Sequence, residues 1–160
     1  ISLVLKVKPA QVTLVPDPPN VLTSNAGWKI NEQFGFLKEV IAVFNKANIR
    51  TSLFVDTNLD NISEAAQTGT DRIELYTESY AKNFQRNREV SIETFKQAAL
   101  RANEVGLGVN AGHDLSLENV HYFSKNVPGL LEVSIGHALI SEALYLGIEN
   151  TIQLYLRQLN

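Results

Sequence analysis

The sequence predicts an α/β fold built on a parallel sheet, and three observations predict it. Short β-rich runs alternate with helical patterns five times along the 160 residues. The runs read as apolar on both faces, as parallel strands covered by helices must be. Polar residues gather at the carboxyl end of each run: Asp17, Asp56, Thr77, His113 and His137. An open doubly wound sheet usually shows a Gly-rich phosphate turn after its first strand, and here there is none. A rim of polar groups at the strand ends is instead the arrangement of a (β/α)8 barrel, which takes eight strands and typically about 250 residues. The reading is one domain, residues 1–160, covering about the last five β/α units of a (β/α)8 TIM barrel, with three units expected before Ile1.

The five strands are "QVTLVP" from Gln11, "IRTSLFVD" from Ile49, "RIELYT" from Arg72, "LGVNAG" from Leu107 and "LLEVSIG" from Leu130. Between the first two lies "NEQFGFLKEVIAVFNKAN", in which Phe36, Leu37, Val40, Ile41 and Phe44 fall at i, i+3, i+4 spacing and give one apolar face. The second helix, in "LDNISEAAQTG", takes Asp60 or Asn61 as its cap and stops at Gly69. The third, "SIETFKQAALRANEVG", starts at Ser91 with Glu93 and stops at Gly106. Ser116 with Glu118 opens the fourth, and the chain closes in "ALISEALYLGIENTIQLYLRQLN". The long loop "PDPPNVLTSNAGW", from Pro16, cannot be helical because of its prolines. Its hydroxyl and amide groups suit either a stiff surface loop or the wall of a site.

Composition narrows the function. The chain is 44% hydrophobic and 19% charged, ordinary usage for a globular domain. A net charge of −3 argues against a nucleic-acid surface but leaves room for a local anion pocket. No apolar run approaches the roughly 20 residues that span a bilayer. "ISLVLKVK" lacks a basic leader, and there is no cysteine for a disulfide, a thiolate nucleophile or a thiolate metal site. A cytoplasmic protein with no membrane partner and no cofactor is the expectation.

Chemistry concentrates in two Gly-His pairs, each closing an apolar run and preceding a helical pattern. The first is "NAGHD", with His113 and Asp114; the second is "SIGHA", with Gly136 and His137. An imidazole at a strand end gives and takes protons near neutral pH, as a condensation that loses water requires. Gly136 at a strand-to-helix turn permits close approach of a phosphate to helix N–H groups, although a tight turn explains the glycine too. Glu74 lies mid-strand, where a carboxylate is costly unless paired or used; a salt bridge to Lys or Arg is the simplest alternative to a catalytic role. Thr23, in the long loop, offers a hydroxyl to a sugar-phosphate oxygen. Trp28 reads as a packing or interface residue rather than a substrate stack, and His121 as surface or interface. No metal-ligand spacing links the three histidines.

In order and spacing, "VTLVP" with its Thr-Ser loop, "TSLFVD", "RIELYTESYA", "GVNAGHDLSLENV" and "EVSIGHALISEALYLG" resemble the pyridoxine 5′-phosphate synthase family across essentially the whole chain. The "NAGH" and "SIGH" pair is the specific part. The resemblance implies a (β/α)8 barrel, a homo-octamer, and joining of 1-deoxy-D-xylulose 5-phosphate to 3-amino-2-oxopropyl phosphate. The products would be pyridoxine 5′-phosphate, phosphate and water. It implies His113 as proton donor and Glu74 as transition-state stabiliser. Thr23, with Ser24 as the alternative in this divergent loop, would contact the deoxyxylulose phosphate, and residue 114, Gly136 and His137 the amine substrate's phosphate. The family's proton acceptors lie on its first three strands. "ISLVLKVKPA" corresponds to its third helix.

The sequence departs from that pattern at Asp114, where the family commonly has glycine, and at Tyr76 and Glu78, where many members have His and Gly. Asp114 can still present its backbone N–H, but its carboxylate must turn away from a phosphate. Two other functions fit the residues without the resemblance: another phosphosugar isomerase or aldolase on the same barrel, and a non-catalytic partial barrel used in assembly. A Schiff-base aldolase would want a lysine at a strand end, and none of the five has one.

Overall fold

The computed structural model describes residues 1–18 and 20–160; Pro19, in the long loop, lies outside the described residues. The element order is α1 (Ser2–Val7), β1 (Gln11–Leu14), α2 (Ile30–Lys46), β2 (Arg50–Val55), α3 (Leu59–Gln67), β3 (Arg72–Tyr76), α4 (Glu78–Glu104), β4 (Gly108–Gly112), α5 (Val120–Asn126), β5 (Leu130–Ser134), α6 (His137–Leu146) and α7 (Ile148–Leu159). All five predicted strands form. They make one parallel sheet in strictly sequential order, β1 to β5. Sequential order differs from the reversal at the centre of a doubly wound sheet and is the order of a barrel wall.

Side chains from distant strands confirm the curl. Arg50 on β2 and Arg72 on β3 both reach Glu132 on β5, at 2.9 and 3.0 Å. The Asn110 amide on β4 donates to Glu132 Oε2 and to Gln11 Oε1 on β1. Strands so far apart in a sheet can share partners only if the sheet bends round a common interior. That interior corrects the expectation of strands apolar on both faces. The helix-facing side is apolar: Leu53, Val55, Ile73, Leu75, Val109 and Ala111 pack with Ile41, Ile62, Phe95 and Phe123 from the surrounding helices. The inner side is polar, with Gln11, Arg50, Arg72, Asn110 and Glu132 bonded to one another. Composition hides this because half of each strand still alternates toward a helical layer.

The helices differ from expectation mainly at their starts. Asn58, rather than Asp60 or Asn61, caps α3: its Oδ1 accepts the Asn61 N–H at 2.9 Å. Asn61 instead accepts from Ile30 N–H and donates to Trp28 C=O, pinning α2 to α3. The helix expected from Ser91 starts earlier, at Glu78, with a break at Asn87 (φ −161°, ψ 92°). Asn87 is the internal cap, accepting from Val90 N–H at 3.0 Å. After Ser116 the chain makes turns, and regular helix begins only at Val120. The final pattern splits at Gly147, whose φ of +79° ends α6 and opens α7. Gly69 and Gly106 end their helices as expected. On α2, Leu37, Val40, Ile41 and Phe44 are buried, but Phe36 is 54% exposed and lies against Trp28 instead.

Candidate active site

Parallel strands place all their carboxyl ends on one rim, and the loops that follow them meet there. All six residues predicted to form the site, Thr23, Glu74, His113, Asp114, Gly136 and His137, line one cleft of about 830 Å³ on that rim. Thr13, Asp17, Phe54 and Ser134 are among the residues that line its walls. Of the other rim residues, Asp56 and Thr77 stay out of the cleft. Asp56 accepts the Asn58 N–H ahead of α3, and Thr77 is buried, with its hydroxyl bonded to Gly112 C=O at 2.8 Å. Thr77 thereby ties the end of β3 to the glycine that precedes His113.

Glu74 projects inward from the middle of β3 and is only 7% exposed. Among the described residues no Lys or Arg pairs with it; Arg50 and Arg72 are held by Glu132. The Thr13 hydroxyl donates to its Oε2 at 3.1 Å. Burial raises its pKa above the ordinary 4.5. The hydroxyls of Thr13 and Ser134 oppose the rise, the Glu132 charge adds to it, and His113 lowers it. Gly112 leaves the room this carboxylate needs: a Cβ there would fall 2.3 Å from Glu74 Oε1. Thr13 and Ser134 were missed by sequence reasoning because a hydroxyl residue in a strand looks like an ordinary β former. Their two-residue spacing from the inward-facing Gln11 and Glu132 was the available signal.

His113 follows the last residue of β4 with φ +84°, a conformation rare for a side-chain-bearing residue. Its N–H donates to Ser134 C=O at 3.3 Å, which sets the end of β4 against β5. The ring contacts three groups. Nε2 lies 2.7 Å from Thr23 Oγ1, Nδ1 lies 2.8 Å from Asp114 Oδ2, and the Tyr76 ring meets it edge-on at 5.1 Å. Burial, followed by the charges of Glu78 and Asp114, pushes the Tyr76 phenol up to about 12. Tyr76 is therefore a neutral wall, packed in turn at a tilt against Phe54, with ring centroids 5.2 Å apart.

Thr23 reaches His113 because its loop is fastened at both ends. The Trp28 indole donates to Leu14 C=O at 2.9 Å, its backbone N–H donates to Phe54 C=O at 2.8 Å, and Ser24 donates to Asp17 at 2.5 Å. Trp28 is a packing residue, as expected. His121 is bonded to Gln158 C=O at 2.8 Å, away from the cleft.

Across the cleft, Gly136 is the N-cap of α6 and His137 its first residue, so the free N–H groups of the helix start open on the rim. Opposite them, the Asp114 carboxylate is turned onto the imidazole. Among the described residues, no three His, Asp or Glu side chains group as metal ligands, and no helix is long and apolar enough to cross a membrane. What the arrangement can do is move protons between a hydroxyl-contacted imidazole and a buried carboxyl group, beside backbone donors suited to an anion.

The family model described as pyridoxal phosphate biosynthesis protein PdxJ matches residues 1–160. A pyridoxine 5′-phosphate synthase of Parabacteroides distasonis is 58% identical over 160 residues, which is 100% of this chain and 67% of the relative. The enzyme of that name from Christiangramia forsetii is 59% identical over 159 residues, 99% of this chain and 67% of its own length. That of Porphyromonas gingivalis is 53% identical over 159 residues, with the same coverage. The chain thus spans about two thirds of the length of these relatives, and five sequential parallel strands are the corresponding share of a (β/α)8 barrel. With the whole chain matched by the family model and by relatives well above half identical, it belongs to the pyridoxine 5′-phosphate synthase family of enzymes.

Proposed function

We propose that the protein condenses 1-deoxy-D-xylulose 5-phosphate with 3-amino-2-oxopropyl phosphate to form pyridoxine 5′-phosphate, phosphate and water. The observation that carries this reading is the convergence, in one cleft, of His113, Glu74, Thr23 and the Gly136–His137 turn from four separate parts of the chain. His113 supplies and withdraws protons as carbonyl oxygens leave as water. Glu74, held neutral more readily than an exposed carboxyl, stabilises charge that develops on the closing ring. The backbone N–H groups from Gly136 onward and that of Asp114 take the amine substrate's phosphate, and Thr23 takes that of deoxyxylulose. A Cβ at Gly136 would meet no protein atom within 4 Å, so packing does not require glycine there. Close approach of a ligand does.

Three further β/α units close the barrel and bring the proton acceptors that the family carries there. The assembled protein is a cytoplasmic homo-octamer with no cofactor, as family membership implies. Incubating the full-length protein with both substrates and separating the products by chromatography tests the proposal. Pyridoxine 5′-phosphate is expected in step with released phosphate. Phosphate release without the pyridine product, or no turnover by folded protein, would overturn it.

A further inference from the structure

The Asp114 carboxylate has no part in the chemistry above, yet the chain is shaped to put it on His113. Consecutive side chains of a strand point to opposite faces, so residues 113 and 114 could not touch if β4 simply continued. The φ of +84° at His113 breaks the alternation and brings Asp114 Oδ2 to 2.8 Å from Nδ1. Backbone strain of this kind persists only where the surroundings over-determine it. Here they do. The buried Tyr80 hydroxyl donates to Asn119 C=O at 2.7 Å, the Asn119 amide donates to Asp114 C=O at 3.3 Å, and Asn119 Oδ1 accepts the Ser116 N–H at 2.9 Å. The turn that carries Asp114 is thus fixed from a buried side chain outward.

We propose that Asp114 is a positioning residue that holds the His113 imidazole with Nδ1 protonated, leaving Nε2 as the nitrogen that exchanges protons in the cleft. The proposal rests on the reading of His113 as the proton-transferring group. An ionised carboxylate only accepts hydrogen bonds, so the 2.8 Å contact places the proton on Nδ1. Nε2 is then an acceptor, and the Thr23 hydroxyl donates to it across 2.7 Å. The result is a hydroxyl–imidazole–carboxylate chain, with the Tyr76 edge blocking rotation of the ring. A carboxylate in that place also stabilises the imidazolium that forms when Nε2 takes up a proton. Glu74 and Glu78 also act electrostatically on the ring, but neither is bonded to it.

Two readouts on the full-length protein test this. The first is the ¹⁵N spectrum of histidine-labelled protein with His113 in its neutral form. Wild type should show a protonated Nδ1 and a bare Nε2, and Asp114→Ala should lose that preference. The second is steady-state kinetics. Asp114→Ala should lower kcat on the order of 10²-fold with little change in either KM, and Asp114→Glu, which keeps a carboxylate that only accepts, should recover part of both the tautomer signature and the rate. An unchanged tautomer in Asp114→Ala overturns the proposal. So does a change confined to the KM of the amine substrate with kcat intact, which would mean that the carboxylate acts on the phosphate site and not through the imidazole. If wild type forms no pyridoxine 5′-phosphate, the functional reading falls, while the ¹⁵N spectra still decide what Asp114 does to His113.

Discussion

Glu74 is the residue whose environment asks most of the fold. Burial holds its carboxyl above the ordinary 4.5, so as pH climbs past that value the folded protein keeps a proton that the unfolded chain has released. Folding stability therefore falls as pH rises through the window between the unfolded and folded values. Glu74→Gln keeps an acceptor for Thr13 and removes the ionisation. It should melt with wild type below pH 4.5, melt at a higher temperature than wild type near about pH 8, and lose on the order of 10²-fold in activity. Melts at the two pH values decide it; a variant less stable at the higher pH would mean that Thr13 and Ser134 outweigh burial. Gly136→Val is a second residue-scale test. Loss of close approach at the α6 start should raise the KM for 3-amino-2-oxopropyl phosphate by about tenfold or more and leave that for deoxyxylulose phosphate nearly unchanged. An equal effect on both would show that the two phosphate sites are assigned wrongly. Of these residues, His113, Gly136 and His137 were legible because each ends an apolar run. Asp114's bond to His113 was not, since strand periodicity puts neighbours on opposite faces and nothing in the letters announces a positive φ.

At the scale of elements, the strands could be read from the sequence and the helix starts could not. The strands show as short β-rich runs with one apolar face, although β1 and β5 are only partly buried. A cap depends on which of several adjacent Asp, Asn or Ser side chains wins the free N–H groups, and Asn58 and Asn87 each won over a nearby candidate, while Asn119, at the start of α5, turns back to the Ser116 N–H. The loop between β1 and α2 was legible as a loop, but its anchoring was not. Gly27 packs so closely that a Cβ would lie 2.6 Å from the backbone of Val55 and Asp56. Gly27→Ala should force the loop off β2, cost on the order of 1–3 kcal/mol, and weaken the Thr23 contact with His113. Denaturant unfolding with deoxyxylulose phosphate titration measures both effects; wild-type stability would mean that the loop shifts without strain.

The whole molecule is a curved wall whose inner face is polar and whose two edge strands, β1 and β5, each pair on one side only. On the outer layer, Leu144 and Tyr145 of α6 are 81% and 90% exposed. Unpaired edges and exposed apolar side chains favour association. Residues 1–160 expressed alone should therefore aggregate or bind a hydrophobic dye strongly, and the full-length protein should do neither. A monodisperse, dye-silent fragment in light scattering would mean that these five units bury their edges by themselves. We propose that the cleft on this wall closes a pyridine ring through His113. Single-turnover formation of pyridoxine 5′-phosphate by full-length wild type and His113→Ala, with matched melting curves, tests it most directly. The variant should lose on the order of 10²–10⁴-fold with its fold intact; retention of more than about a tenth of the wild-type rate would mean that His113 is not the proton-transferring group, because general acid–base catalysis carries more than that.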